Sequence, residues 1–308
     1  MALTLVEAAK LHGGEVMRSA IIELYAQGSE VLRMLPFDDI QGNALRYNRE
    51  ETLPGIGFRG VNEAYTESTG VINPVTEPLV IAGGDLDVDE FILRTMGQDQ
   101  RSVQEAMKVK ALALRWTRAF IKGDNTSEPR EFDGLQVRLT GTQLISAGST
   151  SGGTALSLGK LDEAIDAVEN PTALLMNRTM RRRLSAAARS TSVGGYITYA
   201  LDEFGRQVTM YNELPILVID QDNTGAEILP FTEAAAAGGA TATSIYVVSF
   251  GEGRLQGIQN GAMDVRDLGE LQEKPAKRTR VEWYSGIALF NARAAARLWS
   301  FGDLAAVA

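Results

Sequence analysis

Cysteine is absent from the 308-residue chain, and histidine occurs once, at His12. The first absence removes disulfides, thiolate metal sites and cysteine nucleophiles together, and it fits a reducing compartment. The second leaves no Ser-His-Asp relay to assemble. His12 stands beside Gly13 and Gly14 at a helix end, where a capping or exposed role explains it. Proline is scarce too, 9 residues against 31 glycines, so tight turns and hairpins should be numerous. No apolar run is long enough to span a bilayer, and no basic-then-apolar leader opens the chain. The expectation is a soluble protein with no membrane partner, made and kept in the cytoplasm. Positive charge is also short: the net charge of −9 speaks against broad phosphate binding as the main task, while a local basic face stays open.

What is present suits a packed protein. Hydrophobic residues make up 44% and charged residues 22%, and the length allows two domains or one elaborated one. The organising stretch is 99–123. Val103, Met107, Leu114 and Ile121 form one apolar stripe at helical spacing, and Val109, Leu112, Trp116 and Phe120 form a second beside it. Ser102 and Glu105 have the spacing of a capping box. Gly123 offers a left-handed stop after Arg115, Arg118 and Lys122, which suit the negative end of the helix dipole. At ~1.5 Å per residue the rod is roughly 36 Å long. Two stripes predict packing on more than one side.

Residues 1–35 read as two helices broken at 12–14 and too short to close a core, and 36–43 as a turn-rich join. The segment 44–85 is the oddest. A strand over 45–53 and a return strand over 77–82 enclose Pro54, Gly55, Ile56, Gly57, Phe58, Arg59 and Gly60 and a polar stretch. This predicts a long, irregular hairpin with little to bury. Such a hairpin is marginal alone, and its edges invite another chain. It is either a mobile surface loop or an arm ordered by a neighbour. Downstream come an apolar strand over 135–139 and a Gly/Ser/Thr-rich linker over 140–154. Helix 161–168, strand 173–176, helix 178–188 and strand 214–219 then alternate as in a compact α/β block. The low-complexity loop 234–239, strand 244–250, a long strand over 278–290 and a strand or short helix over 292–301 complete the chain.

Few residues suggest chemistry. Asp85, Asp87 and Asp89 alternate on one strand face, where they could hold a divalent cation or simply meet solvent; the glycine and distal glutamate of a calcium loop are missing. Arg178, Arg181, Arg182 and Arg183 form the strongest basic cluster, open to nucleic acid, to a neighbouring subunit or to water. The glycine-rich segment 251–257 lacks the phosphate-loop lysine and the dinucleotide spacing, so it reads as a turn. Trp116 and Trp283 read as core aromatics. The expectation is a protein without enzymatic activity, with no catalytic residue, no cofactor and no metal; a metal-dependent hydrolase built on the three aspartates is the rival from another class.

In order, these pieces resemble the tailed-bacteriophage major capsid proteins with the Hong Kong 97-type fold. Similar stretches are 132–136 after the long helix, 172–179 leading into the arginine-rich helix, the proline-containing strand 214–220 and the closing strands 281–293. The resemblance implies an α+β fold with an N-terminal arm (1–43) and an extended β-hairpin loop (44–85). A peripheral domain (86–152 and 263–308) would carry the spine helix 99–123, and an axial α/β domain would span 153–262. It also implies a homo-oligomer of pentamers and hexamers that closes an icosahedral head around double-stranded DNA without reading its sequence, in a virion capsid assembled in the host cytoplasm. A separate scaffolding protein and a portal protein would be partners, with room for a decoration protein. The intersubunit contact candidates are Pro54, Gly55, Phe58 and Arg59 on the hairpin and Arg181, Arg182 and Arg183 on the basic helix. Some members cross-link through a hairpin lysine; residues 44–85 contain none, so assembly should be non-covalent. An encapsulin-type compartment is the alternative with the same fold.

Overall fold

The long helix forms where its apolar pattern puts it, over Asp99–Lys122, but its two ends are built differently from the expectation. Residues 3–4, 29–96, 99–187, 197–201 and 207–307 are described by the structure, a computed structural model; the expected helices before residue 29, with His12, lie outside the described residues. Helix Asp99–Lys122 already includes Ser102, so no capping box forms there. Glu105 instead turns inward and accepts hydrogen bonds from Arg101 Nε (3.0 Å) and Thr279 Oγ1 (2.8 Å). Gly123 is not left-handed. It is required because its neighbours crowd it: a Cβ there would lie 2.2 Å from the Phe132 carbonyl oxygen. The second stripe is buried, with Val109, Trp116 and Phe120 inside beside Ala113; of the first, Ile121 is buried while Val103 and Met107 are exposed.

In chain order, β1 (Leu3–Thr4), α1 (Glu30–Met34) and β2 (Pro36–Asp39) precede the hairpin strands β3 (Ala44–Thr52) and β4 (Val71–Pro78). β5 (Val80–Asp89) and α2 (Glu90–Met96) lead to the long helix, α3 (Asp99–Lys122). Then follow α4 (Leu135–Arg138), β6 (Leu144–Ser146), α5 (Leu158–Asp166), β7 (Ala173–Met176) and α6 (Arg178–Ala187). β8 (Ile197–Leu201), β9 (Gln207–Tyr211), β10 (Leu214–Val218) and β11 (Thr243–Val248) come next. β12 (Leu255–Gln259), β13 (Asp264–Glu270), β14 (Ala276–Leu289) and β15 (Ala295–Phe301) close the chain.

Two larger sheets and the hairpin result. β14 is the axis of the first sheet, pairing β5 along one edge and β12 and β13 along the other, with β2 and β1 beyond β12. The second runs β6-β15-β11-β7-β10-β9-β8. Alternation along β7 and β11 buries both of its faces: Leu175, Tyr246 and Val248 join the core under α3, while Leu174, Met176, Ile245 and Val247 join the core under α5 and α6.

Three expectations need correction. The segment 135–139 is no strand: residues 135–138 form the helical turn α4, and Leu135 and the capping Leu139, four apart, are both buried. The linker at 140–154 contains β6, held parallel to β15. The return strand of the hairpin is β4; residues 80–89 pair with β14 instead. The strand-or-helix segment 292–301 is a single 3₁₀ turn followed by β15, which lies between β6 and β11 in the second sheet and not beside β14.

Candidate assembly surface

The hairpin's root is buried and its tip is bare. At the root, Tyr47 donates its hydroxyl to the Leu289 carbonyl at 2.8 Å and packs its ring on Phe290, with centroids 4.5 Å apart. Glu77, 5% exposed, takes both arms of the Arg138 guanidinium, with Nη2 at 2.7 Å from Oε2. Burial and the Glu77 carboxylate push the Tyr47 hydroxyl from 10.0 up to about 12. Sequence reading missed these residues. Glu77 beside Pro78 signals only polarity, and its partner stands 61 positions away on α4.

Beyond the root, three side-chain hydrogen bonds close within the tip. Ser68 donates to the Gly55 carbonyl (2.8 Å), Gly60 N–H to Glu63 Oε2 (2.8 Å), and Arg59 Nη1 to the Glu63 carbonyl (3.2 Å) while lying over the Tyr65 ring. The apolar side chains stay bare among the described residues: Leu53, Ile56, Phe58 and Val61 are each at least 79% exposed. Pro54 is exposed beside them. Clustered exposed apolar residues on an arm mark an interaction surface.

The aspartates and the arginines separate. Asp85 receives two hydrogen bonds from Arg280 (2.7 and 2.9 Å), Asp87 two from Arg278 (2.6 and 2.9 Å), and Asp89 caps α2 by accepting from Phe91 N–H. The three carboxylates are thus spent on a cross-strand ladder and a helix start, and no cluster of metal-ligating groups occurs among the described residues. The hydrogen bonds from Arg280 and Arg278 hold the Asp85 and Asp87 carboxyls below the usual aspartate range. A depressed folded-state value means stability that is present above the unfolded value, 3.8, and lost as pH falls through the folded one. The acid-induced loss of stability below about pH 4 should therefore be shallower in Asp85→Asn/Asp87→Asn than in the unaltered chain. Parallel acid titrations followed by circular dichroism check this; identical slopes would show the ladder to be energetically silent.

On α6, Arg178 pairs with Asp220, and Arg183 donates to Asp303 at 2.8 Å, so both are tied within the chain. Arg181 and Arg182 are exposed. The loop 234–239 is laced to residue 152 through Gly152 N–H to the Gly238 carbonyl (2.9 Å). Segment 251–257 is a turn running into β12, with Arg254 N–H on the Gly251 carbonyl at 3.1 Å.

No family model matches the sequence, and no curated protein does either. Solved structures match nearly the whole chain. The holo-SrpI encapsulin complex of Synechococcus elongatus PCC 7942 superposes with a TM-score of 0.65 at 17% identity, over 91% of this chain and 89% of the other. The capsid of a native GTA particle gives 0.62 at 15% identity, over 89% and 90%. A structure from Mycobacterium phage Bobi gives 0.61 at 15% identity, over 88% and 90%. The fold is the one that these encapsulin and capsid chains share. In particular, it is the Hong Kong 97-type capsid fold that the sequence resembles.

Proposed function

We propose that this chain is a major capsid protein that assembles non-covalently, through pentamers and hexamers, into the icosahedral head of a tailed phage enclosing double-stranded DNA. The carrying observation is the hairpin: a root held by β14 and α4, and an apolar tip left exposed among the described residues. Burying one such side chain on a sister copy contributes about 1.5–3 kcal/mol. Repeated over a closed lattice, modest contacts of this size become strong. In this reading the first sheet with α3 is the peripheral domain. The second sheet, β15 included, forms the axial domain with α5 and α6. Loop 234–239 lies near the capsomer axis, and exposed Arg181 and Arg182 meet a neighbour. The net charge of −9 keeps packaged DNA from adhering to the wall. A separate scaffolding protein and a portal protein complete the assembly, and a decoration protein has room outside.

The likeness to an encapsulin favours one second reading, a compartment around protein cargo. Electron microscopy of the expressed full chain, with its nucleic acid and protein content assayed, separates the two. Phage-type heads fill with DNA when packaging proteins are supplied, whereas a compartment carries a protein cargo. Deleting residues 54–60 should leave a folded, soluble chain that assembles poorly. Normal particles from that deletion would refute the role given to the tip.

A further inference from the structure

The two edges of the hairpin are not equivalent. Pro74 and Pro78 of β4 stand opposite Asn48 and Ala44 of β3. A proline nitrogen cannot donate to a ladder, so both positions belong to the pairs whose amides point away from the partner strand. The outer edge of β4 therefore lacks donors at two of its outward positions, a device that blocks strand addition. The same parity turns the amides and carbonyls of residues 44, 46, 48 and 50 of β3 outward, and none of these is proline. Among the described residues, no further strand joins this two-stranded sheet. One edge of the arm is closed and the other is open.

We propose that the open edge of β3 pairs antiparallel with β3 of a second copy, about a two-fold axis through Asn48. This inference rests on the shell reading and names what the arm meets on a sister copy. The register sets residue 46 against 50 and 50 against 46, an arginine against a glutamate twice. It sets 47 against 49, and Asn48 against itself. Every outward amide from 46 to 50 then falls in a hydrogen-bonded pair, and Arg46 is exposed and available. Opposite charges directly across a strand pair stabilise it and like charges oppose it. Sliding two residues one way sets Arg49 against Arg49; sliding two the other way leaves Arg46 facing Asn48. The sequence of β3 is thus self-complementary in one register, as an isologous contact requires. The irregularity between Glu50 and Thr52 ends regular pairing just beyond it. The product is a four-stranded sheet, β4-β3-β3-β4, shared by two subunits.

The absence of cysteine makes the test clean. Residues facing each other in a hydrogen-bonded antiparallel pair have Cα atoms about 5.5 Å apart, within disulfide reach. Asn48→Cys in the full chain should form covalent dimers under mild oxidation, read on a non-reducing gel, while Thr76→Cys on the blocked edge stays monomeric. In the Asn48→Cys background, Arg46→Glu should slow dimer formation by about tenfold, and Arg46→Glu with Glu50→Arg should restore it. Particles that form normally while Asn48→Cys stays monomeric overturn the pairing and leave the shell reading standing, as does a Thr76→Cys chain that cross-links equally fast. Covalent dimers with no particles by electron microscopy leave the pairing standing and overturn the shell.

Discussion

Replacing Trp283 with alanine should lower the unfolding free energy of the unassembled chain by about 3–5 kcal/mol, the usual cost of deleting a buried aromatic ring. Trp283 is 1% exposed and sits where α3 meets the first sheet, with its ring centroid 5.2 Å from Phe37 and 5.8 Å from Trp116. Trp116 in turn touches Phe120 and Phe132, so one deletion opens a hole in a connected aromatic cluster. The indole also donates to Gln259 Oε1 at 3.1 Å, and truncation leaves that buried oxygen without its donor. Trp283→Phe should cost less, because one ring and much of its contact survive while the N–H and the rest of the indole are lost. Urea unfolding monitored by circular dichroism measures both. A loss under about 1 kcal/mol for the alanine variant would mean that the cluster collapses around the gap.

The same cluster shows how far the sequence could be read. Trp116 and Trp283 were legible as core because both lie on strongly periodic stretches, and strand 173–176 coincides with β7 because an apolar run of that length between turns has few other uses. The segment 135–139 misled for the same reason in reverse: with five residues, an i, i+4 pair and a strand look alike until a partner is in place. Gly123 was legible as essential but for the wrong cause; what demands glycine is the approach of the 132–134 backbone, including the 2.8 Å hydrogen bond from Gly134 N–H to the Gly123 carbonyl. The aspartates on β5 could not be interpreted alone, since Arg278 and Arg280 arrive 191 and 195 residues later. Of the hairpin, the exposed tip was visible in composition. Its buried root was not, because that root depends on distant partners.

At the root, Glu77→Ala should cost about 3–5 kcal/mol, because it strands a cation. Arg138 has a side chain only 14% exposed, and without Glu77 its guanidinium keeps, among the described residues, one acceptor, the Asp133 carbonyl at 2.6 Å from Nε. Replacing both members, Glu77→Ala with Arg138→Met, should recover much of that loss, since an apolar side chain tolerates burial that a lone charge does not. The alkaline limb reports the same contact. A raised Tyr47 value means that its contribution is fully present below 10.0 and is lost as pH rises through about 12. Burial is the larger cause of that elevation and Glu77 the next, so in Glu77→Ala the Tyr47 transition should move back toward 10.0 without fully reaching it. Ultraviolet titration of the alanine variant against a Tyr47→Phe control isolates that hydroxyl. If the root governs the arm, the stranded variant should also be cleaved faster near residues 44 and 79 by a protease, and its particles should lose uniform size. Unchanged cleavage together with a stability loss under about 1 kcal/mol would show that the contact of Tyr47 with Phe290 and the Leu289 carbonyl holds the arm by itself.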